Sequence, residues 1–169
     1  DTNYSINPNL LDGTSSLPGL SPLVSVRYAQ TDPYQLLIDD TGQPGRVYDS
    51  SANGFVAYLQ DFPDHVDVLE GRHPQNGRVA GDDLEALVTT EGMDELGIGV
   101  GSRVRLIVGQ QQGQPITIPV RVVGRWHPKD EADPYWFNRI SYFKNAFVVN
   151  EDDFFKRLTS IHPRAIREY

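Results

Sequence analysis

LEALVTTEGMDELGIGVGSRVRLIVGQQQGQPITIPVRVVGRW, residues 84–126, holds the strongest local signals in the chain. The apolar run Leu84, Ala86, Leu87, Val88 predicts a strand, and Thr90 to Leu96 a short polar helix. Gly97, Gly99 and Gly101 then punctuate a turn, and two strands joined by a Gln/Gly loop follow. Within those strands Val104, Leu106 and Val108 share one face, as do Ile116, Ile118, Val120 and Val122. Pro119 has no N–H to donate, which predicts an edge or bulge position for it. The order of elements excludes a phosphate cradle. A dinucleotide loop places its glycines after a strand and before a helix, so that helix N–H groups face the pyrophosphate. Here the glycines follow the helix, and Gly97 is expected as its C′ residue, where φ is positive.

Working outward, residues 1–22 are rich in Asn, Ser, Gly and Pro and read as a tether. Leu23 to Tyr28 alternates as a strand, Thr31-Asp32-Pro33-Tyr34 is a turn, and Gln35 to Ile38 a second strand. Residues 39–45 (DDTGQPG) form a loop by local rules. Asn53 to Phe62 is expected as a short helix, since Phe55, Tyr58, Leu59 and Phe62 recur at helical spacing before Pro63. His65 to Glu70 alternates again. Asn150 caps a late helix whose first turn is acidic (Glu151, Asp152, Asp153), with Lys156 and Arg157 further along, matching the helix dipole.

The 169 residues suffice for one ordinary domain or one with a smaller inserted lobe. A hydrophobic content of 38% supports a packed core, and 22% charged residues with a net charge of −8 is too modest for disorder. The acidic balance argues against nucleic acid, which needs a basic stripe. No apolar run is long enough to span a bilayer. The absence of cysteine excludes disulfides and thiolate chemistry, and is compatible with an oxidising exterior. The Asp1 start suggests a piece of something longer.

Catalytic and metal signals are poor. His65, His73, His127 and His162 have no metal-helix spacing, and His127 with Asp130, Glu131 and Asp133 fits no ligand pattern. No serine stands in an elbow motif, and the paired carboxylates read as solvated. Neither a catalytic residue nor a cofactor or metal is expected. The notable cluster is aromatic. Tyr135, Trp136 and Phe137 follow an acidic, proline-bracketed loop, and an extended segment cannot turn all three into one core. Two readings stand: a loop pinned by a buried Trp136, or a contact surface for a partner chain or apolar substrate.

Taken in order, three segments resemble the extracytoplasmic domain of FtsX/MacB-like ABC transporter permeases. They are Leu69-Glu70-Gly71-Arg72-His73-Pro74, the run from Glu85 through Leu96-Gly97-Ile98 to Leu106, and Val120-Arg121-Val122-Val123-Gly124-Arg125. Family members carry a GRxP segment, an LGLxxGDxVxL turn and a closing VxVVGI strand. Ser102 here replaces the common Asp, and Arg125 a common apolar residue. The resemblance spans residues 66–126. It implies an α+β domain held outside the cell membrane. An α/β lobe (23–74 and 150–169) would carry a β-rich insertion (75–149). It further implies no chemistry in the domain itself, a cytoplasmic ABC ATPase and a second permease subunit as partners, and an extracytoplasmic substrate or partner protein. The glycine turn also resembles segments of double-psi β-barrels, which implies instead a ligand-binding module of a larger enzyme.

Overall fold

The computed structural model describes residues 26–39, 52–75, 82–137, 139–161 and 166–168. The expected tether (1–22), most of the loop at 39–45, and His162 lie outside these residues. The fold is α+β, dominated by one mixed sheet.

The strands are β1 (Tyr28–Thr31), β2 (Tyr34–Asp39), β3 (Asn53–Leu59), β4 (Val66–Gly71), β5 (Leu84–Thr89), β6 (Arg103–Gln111), β7 (Gln114–Pro128), β8 (Ala146–Val148) and β9 (Ile166–Glu168). Six of them close on themselves. Strand β2 pairs with β6, β6 with β7, β7 with β5, β5 with β8, β8 with β3, and β3 returns to β2. The ring takes strands from both stretches, 23–74 and 75–149, that the resemblance assigns to separate lobes.

The ring has a two-fold logic. Strands β2, β3 and β5 in the first half correspond to β6, β7 and β8 in the second. The first two strands of each half are antiparallel neighbours. The third strand of each half runs parallel to the second strand of the other, β8 on β3 and β5 on β7. The first strands pair with each other, as do the third. Neither half completes its own sheet, so the two interlock.

Alternation along the strands fills the ring. Leu36 and Ile38 on β2, Val56 and Tyr58 on β3, and Leu84, Ala86 and Val88 on β5 belong to one buried cluster. Val104 and Leu106 on β6 and Ile118, Val120 and Val122 on β7 join them. These are every-second-residue positions, which strand pleating turns to one face, here the lumen. Helix α2 (Thr90–Leu96) and the π-helical stretch Asp153–Leu158 contribute Met93, Leu96, Phe154 and Leu158 to the same cluster.

Local chemistry accounts for α2. The Thr89 hydroxyl accepts the Gly92 N–H at 2.9 Å and donates to the Lys144 carbonyl at 3.1 Å. Gly97 ends the helix at φ 65°, as expected. Pro119 lies on β7 before its pairing with β5 begins at Val120, so that strand edge asks no N–H of it. The late helix starts as read, with the Asn150 side chain accepting the Asp153 N–H at 2.8 Å.

The expected helix over Asn53 to Phe62 is instead strand β3, followed by the four-residue α1 (Phe62–His65). Its helical spacing is produced by burial on both faces. Val56 and Tyr58 enter the lumen, while Phe55, Ala57 and Leu59 lie under a second apolar layer with Phe62, Trp126, Tyr135, Trp136 and Phe143. A strand buried on both sides loses its two-residue alternation, and pattern alone then cannot tell it from a helix.

Candidate functional site: the Gly-Arg-x-Pro turn and its cleft

The segments quoted for the resemblance meet at one place. Strand β4 ends at Gly71 (φ 82°), whose α-carbon lies so close to β7 that an added Cβ would sit 2.1 Å from the Val123 carbonyl oxygen. Gly124 is equally hemmed in, by the Leu87 side chain and the carbonyls of Glu70 and Arg72. The Arg72 N–H donates to the Val123 carbonyl at 3.0 Å. Its guanidinium then clamps Glu85 on β5 with two hydrogen bonds of 2.6 Å, and the Gln75 N–H reaches the same carboxylate at 3.0 Å. Glu85 is buried while the Arg72 side chain is half exposed. Bonding to that carboxylate raises the Arg72 pKa above its ordinary value. The glycine turn joins the same unit, since Gly101 N–H donates to the Val122 carbonyl at 2.8 Å and the Ser102 hydroxyl accepts the Gly99 N–H at 3.0 Å. Beside it, buried Asp83 accepts two hydrogen bonds from Arg103 and faces Arg121 at 3.7 Å.

His73 and Pro74 leave this unit to form one wall of a cleft of about 320 Å³. Leu59, Phe62, Leu87 and Val148 supply its apolar surface. Asp61, Glu151 and Asp152 stand around it, Glu151 paired with Arg27 and Asp152 with Lys156. Three elements position these groups. The turn after β3 holds Asp61 in the left-handed region (φ 57°), α1 brings Phe62, and the Asn150-capped helix start brings Glu151 and Asp152. Burial, followed by the charge of Glu151, raises the Tyr58 phenol pKa on the cleft wall; the Arg27 charge opposes the shift and Asp61 adds to it.

The three aromatic contact candidates separate. Tyr135 and Trp136 are 1% and 0% exposed, and Phe137 is 46% exposed. The segment is not extended. Pro134–Trp136 is a 3-10 turn, started by the Asp133 carboxylate accepting the Tyr135 N–H at 2.9 Å. Trp136 stacks on Trp126 with centroids 5.6 Å apart, and its Nε1 donates to the Asp130 carbonyl at 3.0 Å. The Tyr135 hydroxyl donates to the Gln60 carbonyl at 2.7 Å, and burial holds its phenol far above the ordinary range. His65 stacks flat on Tyr135, with its Nδ1 2.7 Å from Asp133. The backbone N–H of Tyr135 and the His65 contact keep the Asp133 pKa below its usual value.

Of the groups weighed for metal, Asp130 and Asp133 serve the loop itself by accepting backbone N–H groups, and His127 lies 3.5 Å from Asp67 on β4. Among the described residues no three His, Asp or Glu side chains gather as a metal site. The Tyr58–Asp61–His73–Asn150 cleft was not legible in the sequence. Its walls come from residues spread from Tyr58 to Asp152, and the only local hint was His73-Pro74 inside a motif.

Among the described residues no helix is long and apolar enough to cross a membrane. No protein-family model and no curated protein matches the chain. Among solved structures the chain is similar to a domain of a protein assigned as a permease from Porphyromonas gingivalis. The identity is 15% and the TM-score 0.38, over 66% of this chain and 45% of that one. The chain therefore corresponds to less than half of the solved domain's length.

Proposed function

We propose that this chain is the extracytoplasmic domain of an FtsX/MacB-like ABC transporter permease. In this reading it has no catalytic step of its own. A separate cytoplasmic ATPase hydrolyses ATP, and the domain moves with its permease to export a substrate or pass a signal across the cell membrane. A ligand or partner would shift it only as far as it binds two conformations differently. What supports the reading is the convergence of the motif segments. Gly71, Arg72, Glu85, Gly101, Val122, Val123 and Gly124 are spread over more than fifty positions, yet form one hydrogen-bonded unit. Segments that resembled a family by accident of composition would have no reason to pack on one another.

The chain has no cysteine, so a single introduced one reports its side of the membrane without background from this domain. In the full-length gene product, Leu69→Cys at an exposed position should react with a membrane-impermeant maleimide in intact cells. Apolar spans should flank the domain in its coding frame. Labelling only after lysis, or flanks without such spans, would sink the proposal.

The closed six-strand ring favours a second reading, a double-psi-like β-barrel that binds a ligand within a larger enzyme. The same labelling experiment separates the two, because that enzyme need not be tied to a membrane.

A further inference from the structure

Among the described residues the two most deeply buried carboxylates are Glu85 on β5 and Asp153 in the late helix, each held by an arginine. They lie in separate elements, yet one backbone residue joins them. The Gln75 N–H donates to Glu85 at 3.0 Å, and the Gln75 carbonyl accepts from the Asn150 side-chain amide at 3.0 Å. Asn150 also donates to the Asp153 carboxylate at 3.2 Å, while its own side-chain oxygen accepts the Asp153 N–H at 2.8 Å. Arg157 closes the far end, bonding Asp153 at 2.7 Å. The choice of side chain at position 150 is informative. As a helix cap, Ser, Thr or Asp would accept the Asp153 N–H as Asn does. Asn adds two N–H donors, and both are used, one within the helix and one across to Gln75. A capping aspartate would instead set a second carboxylate against Asp153.

The apolar contacts of the late helix lead elsewhere. Phe154 and Leu158 enter the lumen cluster, and Phe155 meets Tyr58 on β3 at 5.4 Å between centroids. The polar chain is what reaches the Gly-Arg-x-Pro turn. Its bonds are charge-assisted at both carboxylates, and such bonds are stronger than neutral ones and leave a costly buried charge when a partner departs. We infer that Arg72, Glu85, Gln75, Asn150, Asp153 and Arg157 form a strut that makes the turn and the late helix shift as one body. A partner that displaces either end is then felt at the other. That use in a permease rests on the function proposed above, whereas the strut itself is a property of this chain alone. Arg157 also donates to the Asp82 carbonyl ahead of β5, a second route that the test has to separate from Gln75.

Native-state hydrogen exchange of the 169-residue chain, read at the amides of Leu158 to Ile161, tests the strut. Glu85→Gln puts a neutral amide where a carboxylate accepted three N–H groups. It should speed exchange in the helix about tenfold, roughly the strength of one hydrogen bond to a charged group. Asn150→Ser keeps a capping hydroxyl but is too short to bridge to Gln75. In that background Glu85→Gln should add no more than about twofold, as independent sites do. Coupling is reciprocal, so Asn150→Ser alone should speed exchange of the Arg72 N–H, which bonds the Val123 carbonyl. Phe143→Leu, which weakens the second apolar layer, should leave the helix amides unchanged. Helix amides that ignore Glu85→Gln, or respond equally to Phe143→Leu, would overturn the inference. So would an undiminished response in the Asn150→Ser background, which would route the coupling through Asp82, or an Arg72 N–H that Asn150→Ser leaves unmoved.

Discussion

Two glycines in similar sequence settings face opposite surroundings. A Cβ at Gly71 would meet the Val123 carbonyl oxygen at 2.1 Å with φ at 82°, whereas one at Gly99 meets nothing within 4 Å. Gly71→Ala should therefore cost about 3 kcal/mol or more, combining a left-handed backbone with a clash against main chain that cannot rotate away. Gly99→Ala should stay within about 0.5 kcal/mol, as surface substitutions do. Urea unfolding of both variants checks the pair, and equal effects would mean the β4–β7 approach is looser than described. The Arg72–Glu85 clamp makes a second case at this scale. Removing one partner of a buried ion pair typically costs 3–5 kcal/mol, because the other charge stays behind. Arg72 is half exposed, so Arg72→Ala should cost about 2 kcal/mol, with water recovering part of the loss. Replacing both partners by apolar residues, Arg72→Met with Glu85→Leu, should cost less than the single change. A double-mutant cycle reads this out, and an additive result would deny the coupling.

At the scale of elements, the 3-10 turn Pro134–Trp136 stores a correctable cost. Phe137 closes it with φ at 52° and its ring largely in solvent. A bulky residue in that region is strained by about 1–2 kcal/mol, so Phe137→Gly should raise stability by up to about 1 kcal/mol after the flexibility glycine adds to the unfolded chain. A loss of stability would mean the Phe137 ring packs more than its exposure suggests. The same turn carries a pH dependence. The pKa of Asp133 is lower in the folded chain than in the unfolded one, first through the Tyr135 N–H and then through His65. A depressed carboxylate stabilises the fold above its unfolded pKa of about 3.9, and the contribution disappears as pH falls through the lower folded value. Melting temperature should drop on acidification below about pH 4, and Asp133→Asn should flatten that limb. An unchanged acid limb in the variant would remove Asp133 from the account. Elements such as α2 were legible because their signals are local: a Thr cap, a glycine stop and a polar run between strands. Strand β3 was not. Its two faces are buried by partners that lie far along the chain, the lumen residues on one side and Trp126, Tyr135 and Trp136 on the other. The buried place of Tyr135 and Trp136 likewise followed from a 3-10 turn that periodicity does not report.

The whole molecule is organised by closure of the ring, which no window of sequence reveals. Strand β8 is three residues long, yet it joins β3 to β5 and so completes the barrel. Because the third strand of each half lies against the second strand of the other, neither half can bury its lumen residues alone. Val56 and Tyr58 share one cluster with Val104, Leu106 and Ile118, across both stretches that the resemblance assigns to separate lobes. Cooperative unfolding is the expected consequence. Urea should give one transition whether followed by Trp126 and Trp136 fluorescence or by far-ultraviolet dichroism. Native-state hydrogen exchange should place the β5–β7 and β3–β8 amides in the same, most protected group. Folding should be slow for a chain of this size, since both parallel pairings close long loops before they are stabilised. Two separated transitions, with the early strands releasing before β6 and β7, would instead describe a pair of lobes that fold on their own. Under the proposed function the first behaviour would matter, because a displacement at the motif unit would then be carried by the closed ring rather than absorbed at a hinge.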